Sequence, residues 1–148
     1  DLPLMKVLVD SGADLSLTNV HGTTPLLAAA GVGVRTVDEE PGTEPEVLAT
    51  LRWLYKQGAD PNVVDQNGES AMHGAAYRSF PKVADWLARH GCEPETWDRP
   101  NDKGWTPIRI AQGYRYGAFK PNPAMVDALV AVGVSLERAE RAAKSVRW

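Results

Sequence analysis

The sequence predicts a mostly α-helical solenoid, in which helix-turn-helix units stack in a row and short hairpin loops join them. A helix stop, Gly12-Ala13-Asp14, recurs as Gly58-Ala59-Asp60. A turn glycine follows 10 residues after each stop glycine, and 23 residues then separate Gly68 from the next stop at Gly91. An undisturbed unit is therefore 33 residues long. Units of this size cannot bury an apolar face alone, so the pattern indicates stacking against neighbours.

The first helix of each unit is predicted to begin just after a tight turn. Thr24-Pro25, Ser70-Ala71 and Thr106-Pro107 follow the three turn glycines at equal distances. Thr and Ser are favoured helix caps, and Pro is pre-set for the first helical position. Alanine-rich segments follow, which favours close packing between helices.

The second helix of each unit is predicted from paired bulky residues that stand five and four positions before the stop glycine. The pairs are Val7-Leu8, Trp53-Leu54, Trp86-Leu87 and Ala128-Leu129. We expect both tryptophans to fill equivalent core positions where a smaller apolar residue would normally serve.

These motifs resemble the ankyrin repeat. Thr24-Pro25-Leu26 and Thr106-Pro107-Ile108 match its turn-helix motif, and the resemblance covers residues 1 to about 135. It implies a turn, two antiparallel helices and an outward β-hairpin per unit, stacked into a curved solenoid. Leu27 and Arg109 stand where the motif has His, whereas His73 keeps it. The resemblance implies an internal hydrogen-bonding role for His73.

The spacing predicts one domain over residues 1–148. Its parts are a partial repeat (1–18), a repeat with an inter-helix insertion (19–64), a regular repeat (65–97), a repeat with an insertion (98–134) and a C-terminal capping helix (135–148). The first unit lacks its first helix and the chain does not begin with Met, so we expect a fragment of a longer chain.

The insertions are where the units differ from one another. The inter-helix insertion, roughly 32–45, is acidic, and it is either a solvated loop or a contact element. The last insertion alternates aromatic and basic residues from Tyr114 to Pro121, a composition that fits partner binding or a cap on the solenoid end. Trp97 lies in a polar hairpin, where its ring is either exposed to a partner or covered by the chain itself.

The composition narrows the classes of function. A net charge of -3 gives no broad basic field, so we expect no nucleic-acid partner. A single cysteine excludes an intrachain disulfide, and no apolar run approaches the length of a membrane span, so we expect no membrane insertion. His73, His90 and Cys92 could supply metal ligands but lack zinc-type spacing, so we expect no metal or other cofactor. We find no catalytic motif and expect no enzyme.

We therefore expect a monomeric protein-interaction scaffold that binds another protein on the concave face, formed by hairpin tips and first helices. Aligning the units on their turn glycines places an aromatic and basic cluster there. The predicted partner-binding residues are Tyr77, Arg78, His90, Trp97, Lys103, Trp105 and Tyr114. The alternatives are a structural cap or spacer within a larger protein and, more remotely, a metal-dependent enzyme.

Overall fold

The structure is a computed structural model that describes residues 1–34, 42–115 and 120–145, without the side chains of residues 138 and 142–145. Within these ranges the chain is helical and contains no β-strand. The described helices are α1 (Leu2–Asp10), α2 (Pro25–Ala30), α3 (Glu44–Lys56), α4 (Ala71–Arg78), α5 (Pro81–Arg89), α6 (Pro94–Trp97), α7 (Pro107–Ala111), α8 (Pro123–Ala131) and α9 (Leu136–Ser145).

The helices stack in two layers, as the sequence predicts. The first helices α2, α4 and α7 contact one another in that order, and the second helices α1, α3, α5 and α8 form a parallel series. Within each complete unit the two helices also pack together. Helix α9 packs on α7 and so takes the position that the next first helix would occupy.

The first helices begin where their caps predict. The Thr24 hydroxyl accepts a hydrogen bond from the Leu27 amide at 3.3 Å, and Thr106 caps α7 in the same way through the Arg109 amide. Proline stands at the start of both helices, where its missing amide costs no hydrogen bond. The sequence therefore sets the start of each first helix locally, before any packing.

The core runs along the interface between the two layers. Its fully buried side chains include Leu26, Leu27, Leu51, Leu54, Met72, Leu87, Ile108, Met125 and Leu129. Small residues let α2 and α4 approach closely: a Cβ on Gly74 would lie 2.7 Å from the Val32 amide nitrogen. Trp86 is buried as predicted, whereas Trp53 is only partly buried against the same core.

The turns that precede the first helices, here called fingers, share one hydrogen-bonding pattern. In the first, Asn19 Oδ1 accepts from the His21 and Thr23 amides at 2.9 and 3.1 Å. Asp65 and Asn101 do the same in the next two fingers. The fingers are tight turns that an Asx side chain closes.

Backbone hydrogen bonds join each finger to the next. The Gln66 amide donates to the His21 carbonyl, and the Asp102 amide donates to the Asn67 carbonyl, both at 2.9 Å. These bonds link consecutive fingers through main-chain atoms alone. In the described part of the chain, no helix is long and apolar enough to cross a membrane.

Candidate partner-binding site

A cavity of about 370 Å³ lies in the angle between the fingers and the first helices. Because fingers and first helices both contribute, the cavity occupies the face on which the sequence places the partner. We call it the finger cavity. Its lining residues are His21, Gly33, Val34, Asn67, Glu69, Tyr77, Asn101, Asp102, Lys103, Trp105 and Arg115.

Three polar side chains form a connected network in the wall of this cavity. The Tyr77 hydroxyl donates to Glu69 Oε1 at 2.6 Å, and Asn101 Nδ2 donates to the same oxygen at 2.9 Å. Asn101 Nδ2 also lies 3.2 Å from the Tyr77 hydroxyl oxygen. Since Asn101 belongs to the next finger, the network joins two consecutive units and fixes the Glu69 carboxylate.

Arg115 contacts Tyr77 and so extends this network. Its Nη1 donates to the Tyr77 carbonyl oxygen at 2.5 Å, and its guanidinium carbon lies 5.0 Å from the centre of the Tyr77 ring. A cation over an aromatic face is a favourable arrangement. The segment that follows α7 therefore helps to hold the Tyr77 ring in place.

The electrostatics of the cavity are dominated by Glu69. Burial raises the pKa of its carboxyl group, and the carboxylates of Asp65 and Asp102 raise it further, although the hydrogen bonds from Tyr77 and Asn101 act in the opposite direction. Burial likewise raises the pKa of Tyr77, so its hydroxyl remains protonated and donates to Glu69. The carboxylate is thus an anion in an unfavourable environment.

The structure brings together three of the seven residues that the sequence predicts for partner binding. Tyr77, Lys103 and Trp105 all line the finger cavity. Lys103 is exposed, Trp105 is partly buried and Tyr77 is buried in the wall. These three form a common surface at which fingers and first helix meet.

Arg78 lies elsewhere, although it adjoins Tyr77 in sequence. It is buried, its Nη2 donates to the Gly42 carbonyl oxygen at 2.6 Å, and its guanidinium carbon lies 4.7 Å from the centre of the Phe80 ring. Successive helical residues point in different directions, and this one holds the end of the first insertion. A structural role therefore replaces the predicted contact with a partner.

Trp97 is also a correction to the predicted site. It ends the short helix α6, is 1% exposed, and donates its indole N–H to the Cys92 carbonyl oxygen at 3.3 Å. The helical turn Pro94–Trp97 folds the ring into the core. Trp97 is covered by its own chain and presents no surface to a partner.

His90 and Tyr114 are exposed but do not line the finger cavity. The His90 ring stacks on Trp86 at 4.7 Å, near Tyr55 of α3, and so belongs to the second-helix layer. The Tyr114 ring lies under the guanidinium of Arg109, whose central carbon is 3.4 Å from the ring centre. The predicted cluster is thus split among separate parts of the surface.

His73 has the internal role that the resemblance implies. The ring is fully buried, Nδ1 accepts from the Ser70 amide at 3.2 Å, and Nε2 lies 3.2 Å from the Trp105 carbonyl oxygen. Burial lowers the pKa of the ring to about 4. The described residues include no group of three or more His, Cys, Asp or Glu side chains that could hold a metal ion.

A second cavity of about 430 Å³ lies beside the C-terminal ends of helices α1 and α3. Its wall contains two carboxylates, and each is already used within its own turn: Asp14 Oδ1 accepts from Ser16, and Asp60 Oδ1 accepts from the Asn62 amide. The cavity is larger but has no connected polar network. The finger cavity is therefore the better candidate site.

Four further lining residues are placed on the concave face by alignment on the turn glycines: His21, Asn67, Glu69 and Asp102. They were not chosen as partner-binding residues, because they do not belong to the predicted aromatic and basic cluster. Arg115 belongs to the last insertion, whose composition fits partner binding, but it was not named among the predicted partner-binding residues because this insertion has no counterpart in the other units. The segments 35–41 and 116–119, with Asp38, Glu39, Glu40, Tyr116 and Phe119 of the predicted insertions, lie outside the described residues.

Comparison with known proteins agrees with this architecture. A family model described as "Ankyrin repeats (many copies)" matches residues 45–88. The zebrafish protein "Neurogenic locus notch homolog protein 1" is 32% identical over 124 residues, which is 70% of this chain. Its human counterpart is 29% identical over 127 residues, or 72% of this chain, and the Arabidopsis thaliana "E3 ubiquitin-protein ligase KEG" is 28% identical over 89 residues, or 59%. The chain spans about 5% of the length of each of these relatives.

Proposed function

The chain is an ankyrin repeat protein, and on that premise we propose that it binds another protein at the finger cavity. Ankyrin repeats generally mediate protein–protein interactions and typically have no enzymatic activity. The observation that carries the proposal is the cavity itself, where Tyr77, Lys103 and Trp105 meet beside a buried polar network. Aromatic and charged side chains around a concave site are typical of binding hot spots.

The partner is expected to be a protein segment that enters the angle between fingers and first helices. Exposed side chains on the finger tips, among them His21, Asn67, Asp102 and Lys103, would contact it first. Charged residues at such a rim accelerate association and select the partner more than they hold it. We expect the chain to act as a monomer without nucleic-acid or cofactor binding.

The test is capture of partner proteins from an extract of the source organism, followed by binding of the purified partner. The variant Asn67→Arg/Lys103→Glu changes two exposed residues of the cavity rim whose side chains contribute nothing to the core. We expect the wild type to bind a defined partner and the variant to bind it at least tenfold more weakly.

The control is Arg52→Glu, which reverses a positive charge, as Lys103→Glu does, at an exposed position of α3 in the second-helix layer. It should bind the partner as the wild type does. Equal binding by all three proteins would show that the partner uses another surface, and loss of binding in the control would indicate a general effect of charge.

The alternative function, a structural spacer in a larger protein, is favoured by one observation. Leu4, Val7 and Leu8 of α1 are 56, 61 and 50% exposed, and an apolar surface of this kind is commonly covered by a neighbouring part of a protein. The triple substitution of these residues by Ser should leave partner capture intact if the finger cavity is the binding site. Loss of capture would favour a role of α1 instead.

A further inference from the structure

Within the described part of the chain, the carboxylate of Glu69 accepts hydrogen bonds through only one of its two oxygens. Oε1 accepts from both Tyr77 and Asn101, whereas none of the described residues donates to Oε2. No basic side chain in the described ranges forms an ion pair with this carboxylate. As far as the described residues reach, the finger cavity therefore contains a carboxylate that is held in a fixed position and has one oxygen left to accept a hydrogen bond.

The two described basic residues that line the cavity, Lys103 and Arg115, do not pair with this carboxylate. The guanidinium of Arg115 is occupied by the carbonyl and the ring of Tyr77. Lys103 is exposed at the rim. Two further carboxylates, Asp65 and Asp102, act on Glu69, and Asp102 is itself exposed in the cavity wall. The local field at Glu69 is thus negative and favours a cation.

The aromatic rings that line the cavity together with Glu69 favour a cation that is planar or carries an aliphatic chain. Trp105 is partly buried in the cavity wall, and Tyr77 lines the same cavity. A guanidinium group combines both requirements, since it is planar, stacks on aromatic rings and donates two parallel hydrogen bonds to a carboxylate. A lysine side chain meets them less completely because its ammonium is compact and strongly hydrated.

We propose that the finger cavity receives an arginine side chain of the partner protein, whose guanidinium pairs with Glu69 and packs beside Trp105. This inference rests on the proposed function, because it names the chemistry of the partner at the same site. The hydrogen bonds from Tyr77 and Asn101 act as positioning contacts that hold the carboxylate ready for the incoming cation.

The test is an NMR titration of the chain with N-acetyl-arginine amide, following the indole N–H of Trp105 and the amide of Glu69. We expect weak, saturable binding with a dissociation constant on the order of millimolar. N-acetyl-citrulline amide, which has nearly the same shape without the charge, should produce no saturable shift. Equal binding of both compounds, or saturable binding of neither, would overturn the proposal.

The variant Glu69→Gln removes the charge but keeps an oxygen that accepts from Tyr77 and Asn101. We expect it to bind N-acetyl-arginine amide at least tenfold more weakly. The control Glu95→Gln makes the same change at an exposed position of α6 that does not line the cavity, and it should bind as the wild type does. Unchanged binding by Glu69→Gln would contradict the proposal.

Partner capture distinguishes the proposal of a bound arginine from the proposal that the finger cavity binds a protein. If Asn67→Arg/Lys103→Glu loses the partner but Glu69→Gln keeps it, the cavity binds a protein and the arginine assignment fails. If arginine amide binds at Glu69 while neither variant affects partner capture, the cavity binds a guanidinium group, but both the proposed function and the assignment of a partner arginine fail.

Discussion

Nε2 of His73 lies 3.2 Å from the carbonyl oxygen of Trp105, so a fully buried ring in α4 joins its own unit to the next finger. The other ring nitrogen accepts from the Ser70 amide, which fits a neutral ring that carries its proton on Nε2. Trp105 in turn lines the finger cavity. The geometry of the candidate site thus depends on a histidine that never reaches the surface.

Replacing His73 by Ala should destabilise the fold strongly. The change removes the link to Trp105, leaves the buried Ser70 amide without its acceptor and opens a cavity in the core. These effects together predict a loss of about 2–4 kcal/mol in the free energy of unfolding. Urea denaturation at pH 7 measures it.

The control for this change is His21→Ala, because His21 is exposed and its side chain has no structural contact among those described. Its free energy of unfolding should stay within about 0.5 kcal/mol of the wild type. Similar values for the two variants would show that the link between His73 and Trp105 contributes little.

The stability of the chain should depend on pH through the same ring. Burial lowers the pKa of His73 from 6.5 to about 4, so below pH 6.5 the unfolded chain binds a proton that the folded chain does not. The stability from this residue is complete above pH 6.5 and is lost as pH falls towards 4, by about 3 kcal/mol in total.

The measurement is denaturation of the wild type and His73→Ala at a series of pH values from 7.5 to 4. Carboxylates contribute equally to both proteins, so the difference between the two curves isolates His73. The stability advantage of the wild type should shrink on acidification. A constant difference would mean that the ring titrates normally in the folded chain.

Glu69→Gln should stabilise the chain at neutral pH even though it removes the proposed binding anion. The raised pKa of Glu69 means that its stabilising contribution is greatest in the protonated form and is lost as pH rises through the folded pKa. The amide keeps the bonds to Tyr77 and Asn101 without the charge. We expect a higher midpoint of thermal unfolding at pH 7.5 and little difference near pH 4.

Glu95→Gln, at an exposed position, should leave the midpoint unchanged at both pH values. A lower midpoint for Glu69→Gln at pH 7.5 would show that the ionised carboxylate is stabilising where it stands. Functional sites often keep such unfavourable groups at a cost in stability.

Gly74→Ala should destabilise the chain, although alanine is normally the better helix former. The added Cβ would lie 2.7 Å from the Val32 amide nitrogen and 2.9 Å from the Ala30 carbonyl oxygen. Backbone atoms cannot move aside as a flexible side chain can, so α2 and α4 must separate. We expect a loss of about 1–3 kcal/mol in urea denaturation, instead of the usual gain of about 1 kcal/mol.

Gly58→Ala separates this clash from backbone strain. A Cβ on Gly58 would meet no atom within 4 Å, but its φ of +88° disfavours alanine by about 1 kcal/mol. A stabilised Gly74→Ala would mean that α2 and α4 are farther apart than the structure has them.

The repeat architecture follows from the sequence because its signals are local. The cap at Thr24, the Asx turn at Asn19 and the stop at Gly58 each act within a few residues, and they recur at fixed spacing. Among the described helices, α6 alone was absent from the prediction, and the described hairpin loops are turns without β-strands. Helix α6, Pro94–Trp97, lies at the end of the repeat predicted to be regular, at a place where the other units have no helix to serve as a reference.

The candidate site follows from the sequence only in part. Spacing correctly places Tyr77, Lys103 and Trp105 near one another, because each holds a defined position relative to a turn glycine. It does not show which way Arg78 points or whether Trp97 is covered. The direction of Arg78 depends on its contact with Gly42, and the burial of Trp97 depends on its contact with Cys92. No local sequence pattern predicts these contacts.

The hydrogen bonds from Gln66 to His21 and from Asp102 to Asn67 involve only main-chain atoms. These two links between neighbouring fingers are thus independent of the side chains displayed at their tips. Residues such as His21, Asn67 and Lys103 can be exchanged during evolution while these links stay in place. A new binding preference could therefore arise by single substitutions on an unchanged frame.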